Sequence, residues 1–310
     1  MNAISPLTAL LIDWAITALW PLIGRAGVAY YSGILFATAG LVIGGGLVLP
    51  WMIREHRWRA LLDKRVALAL AGVGFFSGMA TVIYITALTY TTPADAAIMA
   101  QVEVLYSWLL CIIFLGERVT AAQAGASLLT VAGTSLIMLH DLGTPRWKGD
   151  LMILATPWMY QVSHMIAKRL PPGMDPFTLA GGRIIFGIVT IAPFCVWSLA
   201  HGGRWTWQPA ALRILVAQGV LMSSLNFLLW YRAIRGMDLS KATAIMLSYP
   251  ALTLVFSWAL GKDKISSMQL AGLAITMCGA SWMSRLVLAA QKVAATRKLV
   301  PETPGTNLVP

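Results

Sequence analysis

The chain has 310 residues, 58% of them hydrophobic and only 11% charged, with a mean hydropathy of +0.73. A soluble domain carries roughly 25% charged residues, so this chain cannot cover a water-facing surface and its outer solvent is expected to be lipid. The net charge of +11 sits mainly in the connections between apolar runs, which points to the anionic membrane surface and away from nucleic acid.

In hydrocarbon every backbone N–H and C=O needs an internal partner, which leaves helices or closed barrels. A barrel would show short segments alternating every second residue. The apolar runs here are long and near-continuous. The chain is therefore read as an all-α polytopic membrane protein with ten transmembrane helices, near 5–23, 30–52, 66–90, 93–115, 120–139, 148–168, 175–200, 209–232, 239–260 and 268–288.

The first run begins near Pro6 without a basic leader and contains Asp13, so a retained helix is expected and not a cleaved signal peptide. A charge at the bilayer centre costs about 2.5–3.5 kcal/mol, so one that survives faces a cavity or a partner. Asp13 is a candidate proton-coupling acid or a group paired with a polar neighbour. Between the second and third runs, Arg54, Arg57, Arg59, Lys64 and Arg65 mark a cytoplasmic connection, which puts both termini in the cytoplasm. The third run places Ser77, Ala80, Thr81 and Tyr84 on one face, and the fourth aligns Gln101 with Trp108. Glu103 points elsewhere, as a structural, capping or coupling group.

In the sixth run Trp158, Gln161 and Met165 share a face, flanked by His164. Arg183 lies near the cytoplasmic start of the seventh, where snorkelling accounts for it. The eighth aligns Ser223, Asn226, Phe227 and Trp230, and Tyr249-Pro250 falls in the ninth. Pro21, Pro157, Pro193, Pro250 and the Gly44-Gly45-Gly46 run are expected to interrupt helices. Cys111, Cys195 and Cys278 are read as buried small residues. Residues 289–310 are read as a cytoplasmic tail, disordered after Arg297.

One constant displacement carries Ser77, Tyr84 and Ala87 onto Ser223, Trp230 and Ala233. Five spans per half is odd, so a second copy must be inverted, an architecture of transporters that places the site near mid-membrane. The run Ala87-Leu88, Ala96-Ala97, Leu115-Gly116-Glu117-Arg118, Gly125 and Gly133, with Leu19-Trp20, resembles the EamA-type drug/metabolite transporter superfamily. Ala233-Ile234, Ala242, Tyr249-Pro250, Leu260-Gly261, Gly272 and Gly279 repeat it more weakly. Val104 departs from the family's usual Pro after Glu103, and Gly261-Lys262-Asp263-Lys264 replaces the second Gly-Glu-Arg. The resemblance covers nearly the whole chain and implies two five-helix repeats, residues 1–145 and 146–288. Within the superfamily the chain is most similar to bacterial exporters of neutral and aromatic amino acids.

The expected site is a central cavity lined by Trp20, Tyr84, Gln101, Trp158, Gln161, His164, Asn226, Trp230 and Tyr249, with Asp13 and Glu103 as coupling candidates and no obvious fixed charge pair. Its partners would be a small-molecule substrate and lipid, and a monomer is expected. The alternative is a proton-coupled exporter of cationic drugs that uses Asp13. His-Glu-x-x-His, Gly-x-Ser-x-Gly and paired diphosphate-metal acids do not occur in the sequence, so neither an intramembrane enzyme nor a metal or cofactor is expected.

Overall fold

The computed structural model describes residues 4–91, 96, 100, 102–116, 119–139, 147–171, 173–246, 248–259 and 266–299. Among the described residues the chain is helical, without a β-strand. The helices are α1 (Pro6–Thr17), α2 (Trp20–Val28), α3 (Gly33–Arg54), α4 (Lys64–Ala87), α5 (Glu103–Leu110), α6 (Ala121–Leu139), α7 (Trp147–Leu154), α8 (Pro157–Arg169), α9 (Pro176–Ala200), α10 (Pro209–Ala217), α11 (Asn226–Gly236), α12 (Leu239–Met246), α13 (Tyr249–Ala259) and α14 (Ser267–Leu299). A wider π-helical stretch, Gln218–Leu225, joins α10 to α11.

Five helical segments among the described residues are long and apolar enough to cross a membrane: Pro6–Val28, Gly33–Arg54, Lys64–Ala87, Pro176–Ala200 and Pro209–Gly236. Their starts follow local chemistry. Ser5 Oγ accepts the Thr8 N–H at 3.0 Å, Asp63 Oδ1 accepts the Arg65 N–H at 2.8 Å, and Asp175 Oδ2 accepts the Phe177 N–H at 2.7 Å. Each satisfies an orphan donor of a first turn.

Lipid offers little hydrophobic drive between helices, so contact depends on how closely backbones approach. The α4–α9 crossing is made at Gly74, where an added Cβ would stand 2.6 Å from the Gly187 backbone nitrogen. The α6–α14 contact uses Gly279, where a Cβ would stand 2.7 Å from the Thr130 nitrogen.

Several helix interruptions fall where proline predicts them. Pro21, Pro157 and Pro250 each sit in the first turn of a helix, α2, α8 and α13, where the missing N–H costs nothing. Two expected breaks do not occur. The α3 helix runs unbroken through Gly44-Gly45-Gly46, because its packing overrides weak propensity. Likewise α9 runs through Pro193.

Two further readings change. Helix α14 continues to Leu299 across stretches read as tail, since no glycine or proline intervenes before Pro301. Cys195 is half-buried and Cys278 exposed, both free; an apolar thiol on an outer helix face is compatible with lipid. The Cys111 side chain lies outside the described residues.

Candidate functional site

The helix interruptions converge on one cavity of about 130 Å³ inside the bundle. Trp20 opens α2, Pro157 opens α8 and Tyr249 opens α13, and all three line it. So do Gln218 and Ser223 of the π-helical stretch. An i→i+5 bond pattern stacks residues five apart, which turns both side chains to the same side.

One wall is a continuous chain of rings. Tyr84 stacks on Trp20 with centroids 4.3 Å apart and planes at 16°. Trp20 meets the edge of Tyr160 at 6.2 Å, Tyr160 lies 6.3 Å from His164, and His164 lies 4.7 Å from Trp230. Four helices thus contribute to a single apolar rail suited to a flat or branched apolar group.

The polar groups sit in two clusters. Asp13 is fully buried, and its Oδ1 accepts a hydrogen bond from Asn226 Nδ2 at 2.8 Å. The same amide nitrogen donates to Thr17 Oγ1 at 2.8 Å, which ties α11 to α1. On another side Gln161 Nε2 donates to Glu103 Oε1 at 2.7 Å and to Thr243 Oγ1 at 3.1 Å, joining α8, α5 and α12. Tyr160 Oη donates to Thr81 Oγ1 at 3.1 Å.

Arg183 also lines the cavity. It is 6% exposed, and its guanidinium carbon lies 3.7 Å from the centre of the Phe227 ring. Helix α9 can carry it inward because small residues lie beside it. At Gly182 an added Cβ would come 2.7 Å from Leu70 of α4, so α9 sits flush on its neighbour and Arg183 turns inward.

Buried polar atoms nearly always have a partner. Around this cavity Asp13 Oδ2, His164 Nδ1, Gln218 Oε1 and Trp230 Nε1 have none. They are gathered where a polar guest would reach them. Among the described residues no three His, Cys, Asp or Glu side chains gather so as to hold a metal ion.

Of the residues expected from sequence, Trp20, Tyr84, His164, Asn226, Trp230 and Tyr249 line the cavity, together with Asp13 and Glu103. Gln161 is fully buried one layer behind it, positioning Glu103. Gln101 lies outside the described residues. Trp158 is placed differently: it is 40% exposed and packs edge-on to Phe76 at 5.9 Å. The cavity face of α8 is Pro157, Tyr160 and His164, one residue before the expected Trp158–Gln161–Met165 stripe. One residue rotates a helix by about 100°.

Several lining residues were not foreseen, among them Gln218, Tyr160 and Arg183. Tyr160 stood in the sequence one position from the chosen stripe. Arg183 was assigned to snorkelling, yet it lines the cavity with Asp13, so ionisable groups of both types share the cavity without an ion pair between them. The signal available was its place within an apolar run after two glycines.

A cavity with an aromatic wall and ionisable groups, enclosed by long apolar helices with broken segments around it, is the arrangement of a membrane transporter. The chain belongs to the EamA-like transporter family, whose pattern matches residues 4–139 and again 147–285. It is 25% identical over 275 residues to a probable terminal-alkyne amino-acid exporter of Streptantibioticus cattleyicolor, covering 88% of both chains. An uncharacterized transporter of Archaeoglobus fulgidus is 24% identical over 219 residues, 68% of this chain and 72% of that one. A solved crystal structure superposes with a TM-score of 0.74 at 18% identity, covering 91% of this chain and 98% of that one, a likeness of fold. The named relatives are transporters, not enzymes.

Proposed function

We propose that the protein exports neutral and aromatic amino acids and related small metabolites across the bacterial inner membrane by alternating access. The observation that carries this reading is the composition of the cavity. The ring chain from Tyr84 to Trp230 suits an apolar side chain, and Asp13, Glu103 and Arg183 offer both signs of charge to a zwitterion. The relative named as an amino-acid exporter supports the same substrate class.

The architecture proposed with it is ten spans in two inverted five-helix repeats, with both termini cytoplasmic. The family pattern found once in each half supports a duplication. So does the position of the breaks: the α1–α2 break opens the first half and the α7–α8 break the second. Discontinuous helices meeting at a midplane site are what inverted-repeat transporters use.

Export of cationic drugs by way of Asp13 is the second reading, favoured by the unpartnered Asp13 Oδ2. Arg183 weighs against it, since a guanidinium lining the same cavity would repel a cation.

Counterflow of radiolabelled amino acids in proteoliposomes, with and without a pH gradient, tests the proposal. Saturable, stereoselective exchange of large neutral amino acids is expected. Exchange of lipophilic cations with no amino-acid flux would replace it with the second reading.

A further inference from the structure

Several arginines of this protein are tied to protein acceptors. Arg25 donates to the Leu88 carbonyl at 2.7 Å, and Arg204 to that of Val28 at 2.5 Å. Arg232 binds the Ile4 carbonyl at 3.0 Å, Arg235 binds Leu170 at 2.9 Å among several carbonyls, and Arg57 pairs with Asp175. These are structural cations, satisfying helix ends and fixing connections.

Arg183 differs from these in lining the cavity. It is buried inside the bundle, yet among the described residues no carboxylate and no backbone carbonyl lies within bonding distance of it. Its contact is the face of Phe227 at 3.7 Å. The Tyr231 hydroxyl stands nearby, and Asp13 acts on it through space without an ion pair. A buried charge normally requires a directly bonded counter-charge. Stacking against a ring occupies the flat face of the guanidinium and fixes its plane. The N–H donors lie in that plane; the Tyr231 hydroxyl can occupy one of the five, and an edge remains that can bind a carboxylate through two parallel hydrogen bonds.

We infer that Arg183 is the carboxylate receptor of the cavity, and that the transported molecules bind through a carboxylate group held by its guanidinium. This rests on the reading of the cavity as an amino-acid site and names the pole that selects the substrate. The amine of an α-amino acid lies one carbon from its carboxylate, so its acceptor must lie close to Arg183. Asp13 meets that need: Asn226 holds its Oδ1 and leaves Oδ2 without a partner. The ring rail then takes the side chain. Specificity follows from the number of bonds, since the guanidinium fork offers the carboxylate two parallel charge-assisted hydrogen bonds while the ammonium reaches the single unpartnered Asp13 Oδ2. Removing the carboxylate from the ligand costs more than removing its amine.

The test is calorimetric binding of three probes to the purified full chain in nanodiscs: L-phenylalanine, 3-phenylpropionate without the amine, and phenethylamine without the carboxylate. The wild type is compared with Arg183→Lys and Arg183→Gln. In the wild type, phenylalanine and phenylpropionate bind, and phenethylamine binds about tenfold or more weakly. Arg183→Gln weakens both carboxylates by about ten- to a hundredfold and leaves phenethylamine unchanged. Arg183→Lys, which keeps the charge but not the fork, falls between. The wild-type probe series stands even if a variant fails to fold. Equal phenylalanine affinity in all three proteins overturns the assignment of Arg183 and leaves the amino-acid reading intact. Binding of phenethylamine with neither carboxylate overturns both.

Discussion

Asn226→Leu isolates one joint on which the cavity depends. The side chain keeps roughly its size but loses the amide, so two hydrogen bonds disappear, to Asp13 Oδ1 and to Thr17 Oγ1, each 2.8 Å long. A hydrogen bond to a charged group contributes about 1.5–3 kcal/mol and a neutral one about 1 kcal/mol. Asp13 Oδ2 has no other donor, so the carboxyl would be stranded with both oxygens unpartnered. The sum is about 2.5–4 kcal/mol, which at about 2 °C per kcal/mol for a chain of this size lowers the melting temperature by about 5–8 °C. Tryptophan-fluorescence unfolding in detergent would measure it. Asp13→Asn should be combined in a double-mutant cycle, because residues that share a bond are not additive. With Asp13 already an amide, the Asn226→Leu loss should shrink by about 1.5 kcal/mol or more. Strict additivity, or a shift under about 1 °C for the single variant, would refute the claim that this contact ties α11 to α1 at the cavity.

Three other outcomes follow from the same geometry. Gly74→Ala drives a Cβ against the α9 backbone and should cost about 1–3 kcal/mol in a thermal-unfolding measurement, while Gly46→Ala, with nothing within 4 Å, should be neutral or stabilising by up to about 1 kcal/mol. Trp230→Ala should lower phenylalanine counterflow at equal expression, and Trp158→Ala, on the outer face, should leave it within about twofold; equal losses from both would contradict the placement of the α8 stripe. Cysteines introduced in the Arg54–Lys64 connection should resist membrane-impermeant thiol reagents in intact cells, and ready labelling there would reverse the proposed orientation.

The positions of the helices were legible because an apolar run of about 20 residues bounded by Ser, Asp or Pro leaves the backbone few options. Ser5, Asp63 and Asp175 cap where their types suggest. Interruptions were half legible. Proline in a first turn marks a start, but Pro193 and Pro50 are absorbed inside long helices, and nothing local separates the two cases.

The face of the eighth run was readable, since Ser223, Asn226, Phe227 and Trp230 all line the cavity. That of the sixth was not, because the helix restarts at Pro157 and the stripe that faces inward depends on how α8 leans on α4. Arg183 shows the wider limit. Sequence alone gives its depth along a helix, but whether a long cation reaches for water or for a cavity depends on which neighbours are small enough to let the helix turn it inward. Gln161 was visible as a polar group in an apolar run, while its task of holding Glu103 came from an element distant in sequence.

The central claim is that the cavity between the ring chain and Arg183 is where an amino acid binds. Determining the structure with 4-iodo-L-phenylalanine, located by the anomalous signal of its iodine, tests this most directly. The account predicts the iodine beside Trp20, Tyr84 or Trp230, with the ligand carboxylate directed at Arg183. Iodine found only on the outer surface, as beside the exposed Trp207, with the cavity free of ligand density at saturating concentration, would contradict it.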